Sequence, residues 1–499
     1  MAKFNEKAAD QTLNRENYAS FGPGKKEELV SAVLTCMVGE PKFYGASDSR
    51  IVSLATEMAS EDPLFLLRLT AYARNEGHLR SVSHLLTAVI GRCAPQYAKA
   101  AVRAVTQRPD DMTEIMSAYK LLYGKPFPNA LKKGIGEAFS RFDEYQLAKY
   151  SSGRREMKLR DLMRICHPVP GDEERAALYG RVLNGTLARP YTWETELSAK
   201  GNKRKVWNEL IASGKVGYMA LLRNLRNIIR SKADLKPVLE EIADPEKARA
   251  SQLLPFRFYS AYRILEKDGL MKPDIAEALE SAARATAANL PRLPGRTLIA
   301  VDVSGSMTME ISKRSAVTCE EVARLLGVLA HDMCDDAVLC YFSCAQEIPV
   351  VKKRKTVMIP SPGYYIEKDV DGSVLEAVNR DIPLARTATD MHLPFRWALD
   401  EDREEKAFDR VIFLSDNQCN VGRRKVQSDA ETYRKQKNPD LWVHAVDLQG
   451  YGTQQFCGKN FNLMAGWSDT VLRFISLAEQ GTATLISYIS SYPVNTDGD

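Results

Sequence analysis

The sequence predicts a chain of two parts: an array of short helices up to about residue 290, then an α/β domain built on a parallel sheet. Three observations lead there. Apolar residues recur at helical spacing through the first part. Tight breakers cut that pattern into short pieces. From Pro291-Arg292-Leu293-Pro294-Gly295 onward, apolar strand-like runs alternate with helical ones.

In the first part, Ile51, Leu54, Ala55 and Met58 fall at i, i+3, i+4 and i+7, one face of a helix. Glu28–Val38, Asp62–Asn75, Ser81–Cys93 and Tyr97–Thr106 read the same way. Gly39-Glu40-Pro41, Glu61-Asp62-Pro63 and Gly124-Lys125-Pro126 separate such segments. Short helices joined by tight turns fit a solenoid of stacked helix pairs. No exact sequence repeat accompanies the spacing, and an irregular helical domain would read alike.

In the second part, Thr297–Val303 reads as a strand and about Ser315–Met333 as a helix, with Val322, Leu325, Leu326 and Leu329 on one face. Then follow a strand at Asp336–Ser343, helices at Gly372–Asn379 and Leu393–Leu399, a strand at Val411–Leu414, a helix at Asp429–Gln436 and a strand at Leu441–Val446. Nearly continuous apolar strands alternating with helices indicate a parallel sheet covered on both faces. The expected domains are residues 1–290 and 296–499. In such sheets ligands bind at the carboxyl ends of the strands.

Composition narrows the class. Hydrophobic residues make up 44% and charged residues 27% of the 499, as in soluble globular proteins. The net charge of +5 does not by itself call for nucleic acid. Its distribution says more: Lys149 to Lys232 holds 18 basic and 8 acidic residues, an excess of ten. The nine cysteines form no CxxC pair, and several lie in apolar runs such as Val338-Leu339-Cys340-Tyr341-Phe342. Reduced thiols in a cytoplasmic protein are the simplest reading. The first residues, MAKFNEKAADQTLNREN, lack an apolar signal core, and no run of 18 apolar residues predicts a membrane span.

The first strand of the α/β domain ends in Asp302-Val303-Ser304-Gly305-Ser306-Met307. One carboxylate and two hydroxyls on a tight turn are hard oxygen donors of the kind that suit Mg²⁺. Thr387-Ala388-Thr389-Asp390 and Leu414-Ser415-Asp416-Asn417 are expected at the same edge. By themselves Asp, Ser and Gly also simply favour turns. The order Asp-x-Ser-x-Ser, then a distant Thr, then a distant Asp, resembles the metal-ion-dependent adhesion site (MIDAS) of von Willebrand factor A domains. That resemblance implies that Asp302, Ser304 and Ser306 hold a divalent ion, most simply Mg²⁺. It makes Thr389 the threonine ligand, and Asp416 a contact direct or through water. It also leaves one position for a partner's carboxylate. "RTATDM" departs from the glycine-rich lead-in of the family, and Thr387 competes for the threonine role; Thr389 is preferred because Asp390 follows it directly.

Enzyme readings find less support. A strand-end Asp could be a phosphoryl-transfer nucleophile, but no phosphate-binding lysine lies within the motif. Ser304, Ser306, His331 and His392 share the domain, yet the Gly-x-Ser-x-Gly elbow of serine hydrolases is absent from the motif. The expectation is a binding protein and not an enzyme.

The helical part contains Pro128-Asn129-Ala130-Leu131-Lys132-Lys133-Gly134-Ile135-Gly136, then Leu147-Ala148-Lys149-Tyr150, then Lys158-Leu159-Arg160-Asp161-Leu162-Met163-Arg164-Ile165-Cys166-His167-Pro168. Met219-Ala220-Leu221-Leu222-Arg223-Asn224-Leu225-Arg226 and Leu254-Pro255-Phe256-Arg257 follow, and the α/β domain is entered through "LIAVDVSGSM". Over a helix Leu159–His167, Leu159, Leu162, Met163 and Cys166 share one face, and Arg160, Arg164 and His167 another. Leu222, Leu225 and Ile229 likewise lie apart from Arg223, Arg226 and Arg230, with Asn224 and Asn227 available for hydrogen bonds. Lys203-Arg204-Lys205 reads as an exposed basic loop. Ordinary solvated helix faces and structural ion pairs would look the same. In their order, these segments resemble the TROVE module of Ro ribonucleoproteins, over nearly the whole chain.

The Ro resemblance implies a HEAT-like solenoid closed into a ring by the A domain. It implies RNA contacts at Lys132, Lys133, Arg160, Arg164, His167, Arg223 and Arg226. Small noncoding, Y-like RNA would bind outside, single-stranded 3′ ends of structured or misfolded RNA would thread the hole, and the role would be RNA quality control or processing. A protein partner at the metal site, for example an exoribonuclease, and the absence of a membrane complete the expectation. The segment from Lys352 to Val370 is longer and more basic than the connection the family implies. The competing reading is a metal-dependent protein-binding adaptor without RNA.

Overall fold

The computed structural model describes residues 11–14, 17–22, 24–35, 46–151, 156–253, 255–287, 291–310, 317–352, 355–368, 370, 373–400, 406–422, 424–451, 453–466, 472–481 and 484–496. Residues 36–38 of the expected helix Glu28–Val38, Leu254, Ser315, Gly372 and the pair Lys353-Arg354 lie outside them.

Two short strands, β1 (Gln11–Leu13) and β2 (Ala19–Phe21), precede α1 (Lys25–Leu34). Helices then follow in an unbroken series: α2 (Ala46–Glu61), α3 (Pro63–Asn75), α4 (Arg80–Cys93), α5 (Ala98–Val105), α6 (Pro109–Tyr123), α7 (Asn129–Ala138), α8 (Glu144–Ser151), α9 (Leu159–Cys166), α10 (Glu173–Asn184), α11 (Trp193–Lys200) and α12 (Arg204–Ala212). The series continues with α13 (Tyr218–Arg230), α14 (Lys236–Ala243), α15 (Pro245–Ala250), α16 (Pro255–Lys267) and α17 (Pro273–Ala287). After β3 (Leu293–Asp302) come α18 (Cys319–Met333), β4 (Cys334–Phe342), β5 (Gln346–Lys352), β6 (Lys355–Ser361), β7 (Tyr364–Glu367), α19 (Val374–Asn379) and α20 (Leu393–Leu399). The chain closes with β8 (Arg410–Ser415), α21 (Gln427–Gln436), β9 (Trp442–Asp447), β10 (Phe461–Ala465), α22 (Arg473–Glu479) and α23 (Leu485–Ser490). Among the described residues no helix is long and apolar enough to cross a membrane.

Packing divides the chain into two compact units. One takes residues 40–217, 231–233 and 488–499; the other takes 1–39, 218–230 and 234–487. The helical unit is a stack in which each helix packs on its second neighbour: α2 on α4, α3 on α5, α4 on α6, α5 on α7 and α7 on α9. Local chemistry sets the helix starts. Asp62 accepts from the Phe65 N–H at 3.0 Å ahead of Pro63, and Asp172 accepts from the Arg175 N–H at 2.6 Å. A buried apolar stripe holds such a helix in the stack, as with Ala98, Ala101, Val102 and Val105 of α5.

A fully buried carboxylate ties this stack together. Asp111 accepts from Arg80 Nε at 2.6 Å and Arg74 Nη2 at 3.3 Å, and its Oδ1 lies 2.9 Å from His84 Nε2. The N–H groups of Gln107 and Arg108 complete the set at 3.0 and 2.9 Å. Burial alone would push its carboxyl up; His84, Arg80 and Arg74 outweigh that and hold it well below the usual carboxylate range. So α3, α4 and α6 meet at one charge. The last described residues belong to the same unit, where Tyr488 and Tyr492 pack edge-on against Tyr72.

The other unit is built on a six-stranded sheet in the order β10-β9-β8-β3-β4-β7. All pairs are parallel except β4 with β7. Leu298–Asp302 and Val411–Ser415 are buried throughout, as central strands covered on both faces must be. The strand order reverses between β3 and β8, which makes that junction the topological switch point. The basic segment flagged after residue 351 contributes to a hairpin, β5 with β6, followed by the antiparallel edge strand β7. Helices α16 and α17 belong to this unit through polar ties. Tyr259 Oη hydrogen-bonds Glu321 Oε1 at 2.8 Å, and the Glu280 carboxylate caps α19 at the N–H groups of Val374 (2.8 Å) and Leu375 (3.1 Å). The N-terminal segment belongs to it too. Phe21 and Gln454 exchange backbone hydrogen bonds of 2.9 and 3.2 Å, and Ser31 Oγ donates to Asp447 at 2.5 Å.

Asp111→Ala is expected to cost about 3–5 kcal/mol of stability, because Arg74 would stay buried without its counter-charge, while Arg80 keeps Asp110. Urea denaturation followed by circular dichroism measures it. A loss below about 1 kcal/mol, the range of exposed ion pairs, would mean that the helices do not depend on this charge.

Candidate functional site

At the switch point β3 ends in Asp302, and the chain turns through Val303 and Ser304 into a single 3₁₀ turn, Gly305–Thr308. Because Val301 pairs with Leu414, the next residues, Asp302 and Ser415, stand abreast. Ser415 Oγ donates to Asp302 Oδ2 at 2.6 Å, and the Ser304 N–H donates to Asp302 Oδ1 at 2.8 Å. Thr389 Oγ1 donates to Ser304 Oγ at 2.8 Å, and Ser304 Oγ lies 3.2 Å from Ser306 Oγ. Asp416 Oδ1 accepts from the Gln418 N–H at 3.1 Å, whereas its Oδ2 is buried with no hydrogen-bond partner. The structure thus brings Asp302, Ser304, Ser306, Thr389 and Asp416 to one place.

Two neighbouring buried carboxylates are costly. Burial raises Asp302 to about 6 against the hydrogen bonds from Ser304 and Ser415. Burial, then the charge of Asp302, raises Asp416 to about 7. Among the described residues no lysine or arginine bonds to either; the nearby Arg386 is taken by Glu320 at 2.8 and 2.9 Å. No group of three or more His, Cys, Asp or Glu at metal-holding distance occurs among the described residues. The donor set here is two carboxylates and three hydroxyls, hard oxygens that fit a small divalent cation. The orphaned Asp416 Oδ2 is the atom such an ion would satisfy.

The surrounding loops explain how Thr389 gets there without a glycine-rich approach. The Thr387 side chain is exposed and its hydroxyl turns to Gln346 Oε1 at 3.3 Å, away from Ser304. Its carbonyl instead accepts from the Gly305 N–H at 2.8 Å. A Cβ on Gly305 would sit 3.1 Å from that carbonyl oxygen, which is why a glycine stands there. Ser343 Oγ donates to the carbonyls of Ala385 (2.6 Å) and Ala388 (3.2 Å), and the Asp390 N–H donates to the Ser343 carbonyl at 2.8 Å. Asn420 pairs with the Thr389 backbone at both ends: its Oδ1 accepts from the Thr389 N–H at 2.7 Å, and its own N–H donates to the Thr389 carbonyl at 3.1 Å. His392, buried, pairs through Nδ1 with Asp429, which also binds Arg424. Its Nδ1 is therefore engaged by Asp429 and not by Ser304 or Ser306.

In the helical unit, two glycines let α7 pack closely, Gly134 against α5 and Gly136 against the end of α9. A Cβ on Gly134 would meet the Lys99 backbone at 3.1 Å, and one on Gly136 the Cys166 carbonyl at 3.2 Å. This contact sets Lys132 near enough to Cys166 for its charge to act on that thiol. Leu159, Leu162 and Met163 are buried while Arg160 and Arg164 are exposed. Arg160 lies 3.9 Å from its own neighbour Asp161; among the described residues Lys132, Lys133 and Arg164 make no ion pair. The helix stops one residue short of the expected end. His167 takes a left-handed φ of 49° ahead of Pro168, so it leaves the Arg160–Arg164 stripe.

In the sheet unit, α13 buries Leu221, Leu222, Leu225 and Ile228, while Ile229 is half-buried. Arg223 is exposed without an ion pair among the described residues, but Arg226 and Arg230 share Asp268 at 3.7 and 2.9 Å. Asn224 is buried and donates to the Ala220 carbonyl at 2.9 Å, which removes it from the surface. Lys203-Arg204-Lys205 is exposed as expected, but it begins α12 instead of forming a loop.

Comparison with known proteins agrees with this architecture. The TROVE domain family matches residues 25–185 and 184–283, and the Ro60 vWA domain family matches residues 296–446. The chain belongs to the Ro family. Telomerase protein component 1 of Mus musculus is 24% identical over 356 residues, which span 53% of this chain and 13% of that protein. RNA-binding protein RO60 of Caenorhabditis elegans is 26% identical over 324 residues, 62% of this chain and 46% of that protein. This Ro-family chain thus spans less than half the length of these curated relatives. The crystal structure of the Deinococcus radiodurans RO (RSR) protein matches with a TM-score of 0.62 at 18% identity, covering 92% of this chain and 100% of that one. The fold is shared.

The raised carboxyls give a pH dependence of defined sign. A folded carboxyl at about 7, above its unfolded value, binds more protons in the native state. Its penalty is therefore fully present above pH 7 and fades as pH falls toward the unfolded value. In EDTA, Asp416→Asn is expected to be more stable than wild type at pH 8, with the gap closing toward pH 4. Chemical denaturation across that range checks it; a gap independent of pH would dissociate Asp416 from the effect.

Proposed function

We propose that this chain is an RNA-binding Ro-type protein with a divalent ion at the carboxyl edge of its sheet. It would hold structured small noncoding RNA on the basic face of α7 and α9. By the same family logic it would also take single-stranded 3′ ends of structured or misfolded RNA, in RNA quality control or processing. The observation that carries this reading is the group of cations in the TROVE-matched region that no acid among the described residues neutralises: Lys132, Lys133 and Arg164, with Arg160 beside them. Guanidinium forks match phosphate oxygens, and exposed cations displace condensed counterions from RNA. The name of the Caenorhabditis elegans relative, an RNA-binding protein, supports the assignment. Arg223 is a second candidate contact; Arg226, shared with Arg230 at Asp268, is a weaker one.

Asp302, Ser304, Ser306, Thr389 and Asp416 would hold Mg²⁺. Bound there, the ion supplies a Lewis-acidic position for an oxygen ligand from a partner. The chain's own residues would supply the oriented oxygen donors around it.

Replacing Arg160 and Arg164 together with alanine is expected to weaken binding of a structured RNA hairpin. Each lost phosphate contact should lower the slope of log affinity against log salt by roughly 0.7–0.9. Filter binding at several salt concentrations reads both quantities, and wild-type affinity with a wild-type slope would leave this face as solvated surface. Asp302→Ala is expected to abolish the heat of Mg²⁺ binding while RNA affinity stays. An unchanged Mg²⁺ isotherm would remove Asp302 from the site.

A further inference from the structure

The two loops that meet at Asp302 come from distant parts of the sequence, and one residue joins them. Asn420 follows Asp416 on the loop after β8, and its side chain and backbone together grip the backbone of Thr389 at 2.7 and 3.1 Å. Thr389 in turn presents its hydroxyl to Ser304. The same loop is held from its other side by the N-terminal segment. Asn14, buried just after β1, donates through Nδ2 to the carbonyl of Cys419 at 2.6 Å, one residue from Asn420. Five residues beyond Asn420, the Lys425 ammonium lies 3.7 Å over the ring of Phe21 from the same segment.

We propose that Asn420 is the positioning residue of the ion site, clasping Thr389 to the Asp416 loop, and that Asn14 braces this clasp from the N-terminal segment. The inference rests on the ion reading above. Neither asparagine touches the ion's donors. Asn420 acts on where the Thr389 hydroxyl stands, and Asn14 on where Asn420 stands. An alanine at 420 removes the acceptor for the Thr389 N–H but leaves the Asp302–Ser415 and Ser304–Ser306 contacts in place. The threonine must then be ordered by the ion itself, and affinity falls. Residues that orient metal ligands from behind typically contribute roughly 10–100-fold to affinity.

The test is calorimetric titration of the full chain with Mg²⁺ alone, beside melting curves in EDTA. Asn420→Ala is expected to weaken Mg²⁺ binding at least tenfold on that scale with the EDTA melting temperature kept. Asn420→Asp retains the acceptor oxygen and is expected to bind at least as tightly as wild type. Asn14→Ala should weaken binding in the same direction by less. Wild-type affinity in Asn420→Ala overturns the clasp, and so does a loss in Asn420→Asp as large as that of the alanine. If Asn420→Ala melts early, the aspartate variant still decides. Wild-type affinity in Asn14→Ala overturns the brace. A wild-type chain that gives no Mg²⁺ heat overturns the ion reading itself, which separates the two failures.

Discussion

The parallel pairing of β3 with β8 is the constraint on which the rest of the sheet unit depends. It reverses the strand order at one place, and there no crossover loop covers the strand ends. It also sets Asp302 level with Ser415, so that Asp416 arrives next to Asp302 at the same edge. A shift of one residue in this register would turn Asp302 to the opposite face. The inward-facing chains that prevent it are Leu298, Ala300, Phe413 and Val411, all buried in one apolar cluster. The apolar core thus fixes the position of the two charges that it cannot itself solvate.

Much of this was legible from residues close together in sequence. Asp-x-Ser-x-Ser at the end of an apolar strand marked the turn. The helices α2 to α5 fell where the spacing of apolar residues placed them. Arg160 and Arg164 were read as exposed opposite Leu159, Leu162 and Met163, and they are. What escaped depends on residues far apart. The Asn420 grip on Thr389 spans 31 positions and has no period to betray it. Asp268 neutralises Arg226 and Arg230 from the turn after α16, so a basic stripe on α13 overstated the free charge. Asn224 looked available because helical spacing does not reveal a side chain folded back on its own Ala220 carbonyl. The basic segment after residue 351 has alternation too diluted by lysines to announce the hairpin of β5 and β6.

The helical unit solves a different problem. Its helices carry no repeated sequence, yet they stack in a regular way. Apolar stripes make the stacking favourable but tolerate sliding, since hydrophobic contact has no direction. Asp111 is directional. Five donors from two helices and the turn before α6 converge on its two oxygens. Such a centre resists both sliding and rotation of α3 and α4 against α6. The close approach of α7 to α5 and α9, possible only because Gly134 and Gly136 lack side chains, extends the same order toward the basic face.

The N-terminal segment has a consequence for how the protein is made. Phe21 and Ser31 find their partners at Gln454 and Asp447, more than 400 residues later in the chain. At about 5–20 residues per second of synthesis, those partners emerge on the order of tens of seconds after the segment itself. Until then Leu29, Val30 and Val33, which end up buried, face water. Meanwhile the consecutive helices α2 to α12, whose contacts are mostly between near neighbours, can pack as they appear. This early segment is therefore among the last parts to settle, and a nascent chain spends that interval with an unfilled apolar helix, a natural target for a chaperone.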